Sequence, residues 1–316
     1  MRPHGRLISV GTHRLYIDCQ GTGSPAVIFD AALGASSVSW SLVQPAVAGL
    51  TRACAYDRGG MGWSRAGPLP RTAGRLAGEL HALLEAAGVP PPYVLVGHSF
   101  GGFVMRIFAA RYRPETAGLV LVDPAHPDHW LAPSERERRE IDRAVRLCGY
   151  GVVAARVGLA RVVAALVGLG ALGPARALVK AISLGRLHRQ DESVLAPVWK
   201  LPPDARRPLR RFWTQPKFFE SLGSQINSIC ESAREVEAAT GEGYGDLPLV
   251  TISASNPDPV RVRRQENLAR LSSRGRHIVA SDSGHWIPLD QPQIVIDTIG
   301  GMVRAIARES QGRGHQ

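Results

Sequence analysis

Residues 93–108 read YVLVGHSFGGFVMRIF, and the reading of this stretch decides the fold. Tyr93-Val94-Leu95-Val96-Gly97 suits a buried strand, His98-Ser99-Phe100-Gly101-Gly102 a tight turn, and the apolar run from about Phe103 a helix. A G-x-S-x-G pattern between a strand and a helix puts its serine on a strained bend, with the hydroxyl raised from the sheet edge. Side chains at 97 and 101 would collide with the adjoining strand and helix in so tight a turn, which is a reason for glycine at both. Ser99 is thus the candidate nucleophile. The pattern alone occurs in many unrelated chains, so its partners decide whether it is more than a glycine-rich turn.

A serine hydroxyl attacks poorly near neutral pH unless a base lies within hydrogen-bond reach and a third group orients that base. His285, in Ser281-Asp282-Ser283-Gly284-His285-Trp286 just after the last strand-like run, is the histidine placed to arrive at the sheet edge. His13 falls in a hairpin, His81 on a helix and His277 at a strand start. Two carboxylates satisfy the order serine, acid, histidine: Asp123 at the end of the strand after the Ser99 helix, and Asp258 in the later loop SASNPDP. Asp123 is preferred because it leaves a strand end directly, while Asp258 sits between two prolines in a longer loop. The bland role for Asp123, a carboxylate capping the first turn of the inserted segment, stays open. The small-residue loop Asp30 to Ser37 lies beside the turn and can supply a main-chain N–H to a developing oxyanion.

The chain around this turn alternates strand and helix. Leu7–Val10 and Arg14–Cys19 form a hairpin about Gly11-Thr12, and further strands are expected at Ala26–Phe29, Arg52–Tyr56, Gly118–Val122, Leu247–Ser253 and Arg276–Ala280. Helices are expected at Trp40–Leu50, at Thr72–Gly88 with leucines 76, 80, 83 and 84 on one face, and at Pro292–Arg308. Asp290 before Gln291-Pro292 reads as a helix entry with a structural role. Asp57 to Ser64, DRGGMGWS, lacks the Lys-Ser/Thr ending of a phosphate loop and is read as a structural turn. Such alternation gives a parallel sheet with ligands at its carboxyl edge. Asp128 to Tyr244, arginine-rich and broken by Pro197, Pro202-Pro203 and Pro208, leaves and rejoins the sheet at that edge and is read as a helical cap. The division is 1–123 and 247–316 for the core, 124–246 for the cap.

At 316 residues, 44% hydrophobic and 21% charged, the chain has material for one α/β core with an inserted subdomain. The net charge of +11 comes from scattered arginines, with Lys180, Lys200 and Lys217 the only lysines. Without a basic stripe interleaved with aromatics, no nucleic-acid partner is expected. Cys19, Cys54, Cys148 and Cys230 lie far apart and are read as reduced structural thiols of a cytoplasmic protein, neither a metal site nor a disulfide framework. The first residues lack the apolar core of a signal peptide. Gly151 to Gly173 carries Arg156 and Arg161 and is read as an amphipathic helix pair over a pocket, without membrane insertion. Only the tail, Glu309 to Gln316, is expected to be disordered.

With these pieces assembled, the sequence resembles the α/β-hydrolase superfamily, and within it the capped bacterial hydrolases of the esterase, haloperoxidase and C–C hydrolase type. The matching segments are VIFDAALGASS, CAYDRGGMGWS, YVLVGHSFGG, GLVLVDP and SGHWIPLDQP, in the family's order. The resemblance implies a mostly parallel eight-stranded sheet flanked by helices with an inserted cap. It further implies Ser99 as nucleophile, His285 as base, the backbone amides of Phe100 and Leu33 as oxyanion hole, and no metal or organic cofactor. The implied activity is hydrolysis of a small-molecule carboxylic ester, with a small or medium apolar acyl or aromatic group, through an acyl-enzyme. C–C, amide or lactone hydrolysis, or a ligand-binding sensor without turnover, are the alternatives. Two departures matter: Ala31-Ala32 stands where many relatives have His-Gly, and Val-Asp-Pro at 122–124 looks like members that take the acid from the earlier strand. Serine at 99, where dehalogenases and epoxide hydrolases carry aspartate, argues against those two activities. Trp199, Phe212, Trp213, Phe218 and Phe219 of the cap either line an apolar pocket or pack the cap on the core.

Overall fold

Period-two alternation inside the strands sorts the core into two layers. In β3 (Ala26–Asp30), β5 (Tyr93–His98) and β6 (Thr116–Val122), residues Ile28, Leu95, Leu119 and Leu121 face one side. Val27, Phe29, Val94, Val96, Val120 and Val122 face the other. Strands apolar on both faces need cover on both, which a parallel sheet obtains from its crossover helices.

The computed structural model describes residues 4–169, 171, 174, 177, 178, 199–255 and 258–313. Among these, eight strands form one sheet in the order β1-β2-β4-β3-β5-β6-β7-β8. The hairpin β1 (Arg6–Val10) and β2 (His13–Gln20) joins β4 (Ala53–Asp57) antiparallel, and every later neighbour is parallel, through β7 (Leu249–Ala254) and β8 (Gly275–Ala280). The strand that leads into Ser99, β5, sits in the middle, between β3 and β6. One layer is filled by α2 (Ala73–Ala87), α3 (Gly101–Arg111) and α9 (Ile229–Thr240), the other by α1 (Gln44–Ala48) and α12 (Pro292–Arg313). Leu76, Leu80, Leu83 and Leu84 of α2 are all buried, each worth about 1.5–3 kcal/mol relative to exposure.

Between β6 and β7 the chain runs through α4 (Asp128–Leu131), α5 (Glu135–Arg156), α6 (Leu159–Gly168), α7 (Pro203–Phe212) and α8 (Pro216–Asn227) before α9. Helix α5 begins on a capping box, Ser134 with Glu137, and lies against α8. No single described helix is long and apolar enough to cross a membrane; α5 and α6 together are, by length and composition, but they bend by 91° at Val157-Gly158. Residues 170, 172 and 173 of the Gly151–Gly173 stretch, Lys180 and Pro197 lie outside the described residues.

The insertion is pinned to the core by its polar residues. Ser221 of α8 sits where a Cβ on Gly60 (φ +86°) would lie 1.8 Å from its Oγ, which is what the DRGGMGWS glycines accommodate. Lys217, its pKa pushed down to about 8 by burial against the opposing pull of Asp57, donates to the carbonyls of Gly62 at 2.9 Å and Ser64 at 2.5 Å. From α9, Ser232 Oγ accepts the Ala73 amide at 3.0 Å and Glu235 accepts the Gly74 amide at 2.7 Å, so two N–H groups at the start of α2 are capped by residues some 160 positions away. Thr72 takes the Arg75 amide and donates to Glu235 at 2.8 Å.

Three expectations are corrected. Cys19 and Cys54 are disulfide-bonded: they face each other in the β2–β4 register, an adjacency hidden in the sequence because β3 intervenes along the chain but not in space. Free thiols therefore no longer argue for a reducing compartment; Cys148 is buried and Cys230 half-buried. The helix expected over Trp40–Leu50 is a 3₁₀ turn at Ser37–Trp40 followed by a short α1, with Pro45 in its first turn. The tail is helical as far as Arg313, with Glu309 held by Arg274.

Alkylation of the unfolded, unreduced protein should consume two thiols and that of the reduced protein four; four before reduction would contradict the cross-strand bond. Glu235→Ala should lower unfolding stability in urea by about 1–2 kcal/mol, the cost of uncapping a helix start.

Candidate active site

The bend at the end of β5 is built by close approach. A Cβ on Gly97 would lie 2.6 Å from the Gly101 carbonyl oxygen, and one on Gly101 would lie 2.6 Å from that of Asp30, so neither position admits a side chain. Ser99 between them adopts φ +54°, a left-handed conformation that costs a non-glycine residue about 1–3 kcal/mol. The turn is held by Gly102 N to Ser99 O at 2.9 Å and Phe103 N to Phe100 O at 2.9 Å, and α3 starts at once, aiming its free N–H groups at the bend. Its start at Gly101 is two residues earlier than the apolar pattern indicates.

Asp123 has φ +37°, and among the described residues it and Ser99 are the two non-glycine residues with positive φ. The two are braced by one strand end: Ser99 N donates to Val122 O at 3.1 Å and Ala125 N to Ser99 O at 3.1 Å, while Asp123 N donates to Ile252 O at 2.6 Å. The carboxylate that meets His285 is Asp123, with Nδ1 to Oδ2 at 2.5 Å. Asp123 is buried, and burial works to raise its pKa, but the His285 hydrogen bond and charge, Arg261 and the Ala254 amide together hold it below the ordinary aspartate value. An ionised carboxylate only accepts, so Nδ1 is the donor in this contact and Nε2 is the nitrogen left to serve as a base. Asp258 is placed elsewhere: it is the N-cap of α10 (Pro259–Ala269), accepting the Val260 amide at 2.9 Å.

Comparison with known proteins agrees with this architecture. Residues 25–146 match the family model described as alpha/beta hydrolase fold. The chain is an α/β-hydrolase-fold protein. It is 35% identical over 109 residues to the uncharacterised protein YqjL of Bacillus subtilis, covering 34% of this chain and 43% of that one. It is 33% identical over 133 residues to a haloalkane dehalogenase of Sphingobium indicum, covering 40% and 44%. The chain thus spans less than half the length of either relative. A thermophilic esterase from Thermogutta terrifontis superposes with a TM-score of 0.68 at 19% identity, covering 96% of this chain and 99% of that one, a likeness of fold.

Within this α/β-hydrolase fold, His98 and Arg58 are supporting residues that escaped the sequence reading, and Asp290, read there as structural, acquires a definite partner. His98, the variable position of G-x-S-x-G, is fully buried, and burial first, then the neighbouring His285, push its pKa down to about 3. It is therefore neutral, and its Nε2, 2.8 Å from the His285 carbonyl oxygen, must be the protonated nitrogen. The residue before Ser99 thus fastens the backbone of the imidazole loop, with the two rings 4.9 Å apart. Asp290, in α11 (Ile287–Asp290), accepts the Gly284 amide at 3.2 Å and pairs with Lys200, so its structural role is to hold that same loop. Arg58 is buried, donates to the Ala32 carbonyl, lies 3.6 Å from Asp30 and stacks 5.1 Å above the Phe100 ring. It joins the segment before Leu33 to Phe100, the two positions expected to supply oxyanion amides. Burial raises the Asp30 pKa, with the Arg58 charge opposing it.

The cap aromatics are packing residues where the structure describes them. Phe212 is buried edge-on against Trp63 at 4.8 Å, Phe218 is buried beside Phe219, and Phe219 fills the space over Gly151, while Trp199 is largely exposed with Arg206 over it.

Replacing His98 by leucine leaves the His285 carbonyl without its donor and should cost about 1–3 kcal/mol in urea unfolding. His98→Gln, whose amide nitrogen reaches the position of Nε2, should recover part of that loss; equal losses would remove the hydrogen bond from the account.

Proposed function

We propose that this protein is a serine hydrolase of carboxylic esters, working through an acyl-enzyme on Ser99. What carries the reading is the 2.5 Å bond between His285 and Asp123, anchored one residue from a serine in left-handed strain. Backbone strain of this kind persists only where the surroundings over-determine it, and here both strained residues are the ones that bear chemistry.

Ser99 Oγ attacks the ester carbonyl carbon as His285 Nε2 takes its proton. Asp123 keeps the imidazole oriented and offsets the charge it acquires. The carbonyl oxygen becomes an oxyanion in front of the amides of Phe100 and Leu33, at the start of α3, where aligned N–H dipoles favour negative charge. The proton then passes to the alcohol leaving group. Water, deprotonated by the same nitrogen, releases the acid and restores the serine. Val38, Leu201, Leu209, Phe212 and Leu289, with Trp213 and Trp286 against them, pack as a buried apolar cluster whose Trp286 adjoins His285; the preference for a small or medium apolar acyl group is carried over from the family resemblance. The substrate is read as a small ester-like molecule.

A fluorophosphonate should label Ser99, and Ser99→Ala should abolish labelling and lower p-nitrophenyl ester turnover at least about 10⁴-fold, with Asp123→Asn costing about 10³–10⁴-fold. Across a series of acyl lengths, short and medium chains should be turned over fastest. Absence of both labelling and ester turnover, or halide or diol release that survives Ser99→Ala, would overturn the assignment. Turnover confined to lactones, amides or C–C substrates would keep the nucleophile and change the bond.

A further inference from the structure

The oxygen of Asp123 that receives His285 also receives a second donor, and this one is a cation. Arg261 Nη2 lies 2.6 Å from Oδ2, while Oδ1 is taken by the Ala254 amide at 3.2 Å. The guanidinium comes from the first turn of α10, whose start is set by Asp258 as N-cap. The second carboxylate in serine–acid–histidine order thus fixes the helix that brings a cation onto the first. Resting on the hydrolase reading above, we propose that Arg261 is a positioning residue that shares Asp123 Oδ2 with His285 and sets how strongly the acid supports the base.

The physics has two parts. A carboxylate oxygen has lone pairs for two donors, and three hydrogen bonds in all leave Asp123 no freedom to rotate away from the imidazole. The Arg261 charge also faces the imidazolium that forms when His285 accepts a proton, with only one oxygen between them. Like charges so placed repel, so Arg261 offsets part of the support that Asp123 gives an imidazolium formed during reaction. The Arg261 side chain is 42% exposed, so solvent screens this repulsion and keeps the effect to about half to one pH unit. Among the described residues, three further titratable groups lie close to His285 along its own loop and the elements packed on it. His98 on β5 is neutral, Asp290 on α11 is paired with Lys200, and Asp282 in the same loop is exposed to solvent.

The test follows the rate of fluorophosphonate inactivation against pH in the wild type, Arg261→Gln and Arg261→Lys. Glutamine keeps a donor without charge, and lysine keeps the charge without the planar fork. In Arg261→Gln the acid limb should move to higher pH by about half to one unit, a three- to tenfold slower reaction on the acid side, with the alkaline plateau within about threefold of wild type. In Arg261→Lys the limb should stay near that of the wild type. A second readout needs no turnover: the Nδ1–H proton resonance of His285 should move downfield in Arg261→Gln as the cation stops competing for Oδ2. An unmoved limb and an unmoved resonance in Arg261→Gln would overturn the proposal and leave Arg261 a surface ion pair. A wild-type protein that is never labelled at Ser99 would instead fail the hydrolase reading, with the resonance still deciding the role of Arg261.

Discussion

A single hydrogen bond, His285 Nδ1 to Asp123 Oδ2, joins residues 162 positions apart, and the rest of the active edge depends on it. For it to form, β6, β7 and β8 must lie in parallel register so that the ends of β6 and β8 open on the same side. Asp123 must also leave its strand in a left-handed conformation, and the loop after β8 must be held down at both flanks. The sheet supplies the first condition through apolar burial on two faces. The amide of Asp123 bonded to Ile252 O supplies the second, and His98 and Asp290 supply the third. Each is a local cost in strain or in buried polarity, and the site lies where the surrounding core is dense enough to bear it.

Buried charge follows the same logic. Asp30 and Asp57 are wholly buried, and burial raises both pKa values, so each carboxylate is costly unless donors reach it. Asp57 receives the amides of Ser37 at 2.7 Å and Trp63 at 2.9 Å, with Lys217 from the cap adding charge of opposite sign. Asp30 has Arg58. These two acids end β3 and β4 and organise the loops behind the oxyanion positions, so the cap, by placing Lys217 against the loop after β4, is tied to the electrostatics of the site as well as to its cover.

The strand–turn–helix around Ser99, the order of strands along the chain and the arrival of His285 at the sheet edge were legible because each rests on local pattern: alternation, glycines in a tight turn, a histidine after a strand. The illegible part depends on which strands and helices become neighbours. Asp123 and Asp258 share the same order relative to Ser99 and His285, and only the geometry of α10 shows that one accepts from the imidazole and the other caps a helix. Cys19 and Cys54 meet because β2 skips β3 to pair with β4. Ser232 and Glu235 cap α2 because α9 returns to the core side, packing Ile229, Ala233 and Val236 into the layer that also holds α2 and α3. His98 had a weak signal in the sequence, since a polar residue before the nucleophile in an otherwise apolar strand needs a partner; which partner is a tertiary fact.

The likeness to solved structures fixes the scaffold and leaves the chemistry to the side chain at 99. An aspartate there would be a nucleophile as it stands, already deprotonated, and a neighbouring imidazole would be needed only to activate water in the second step. A serine is not, so on the acyl-enzyme route proposed above a base has to act from the first step, and its readiness to accept a proton would bear on the rate of acylation. That places an unusual demand on the acid: it must orient the ring and support the charge the ring acquires, without drawing the ring into permanent protonation. A carboxylate that already answers to a second cation meets both requirements at once. Held below the ordinary aspartate pKa and fixed in direction by its donors, Asp123 divides its negative field between Arg261 and the imidazole, so the ring is oriented by a carboxylate that does not answer to it alone.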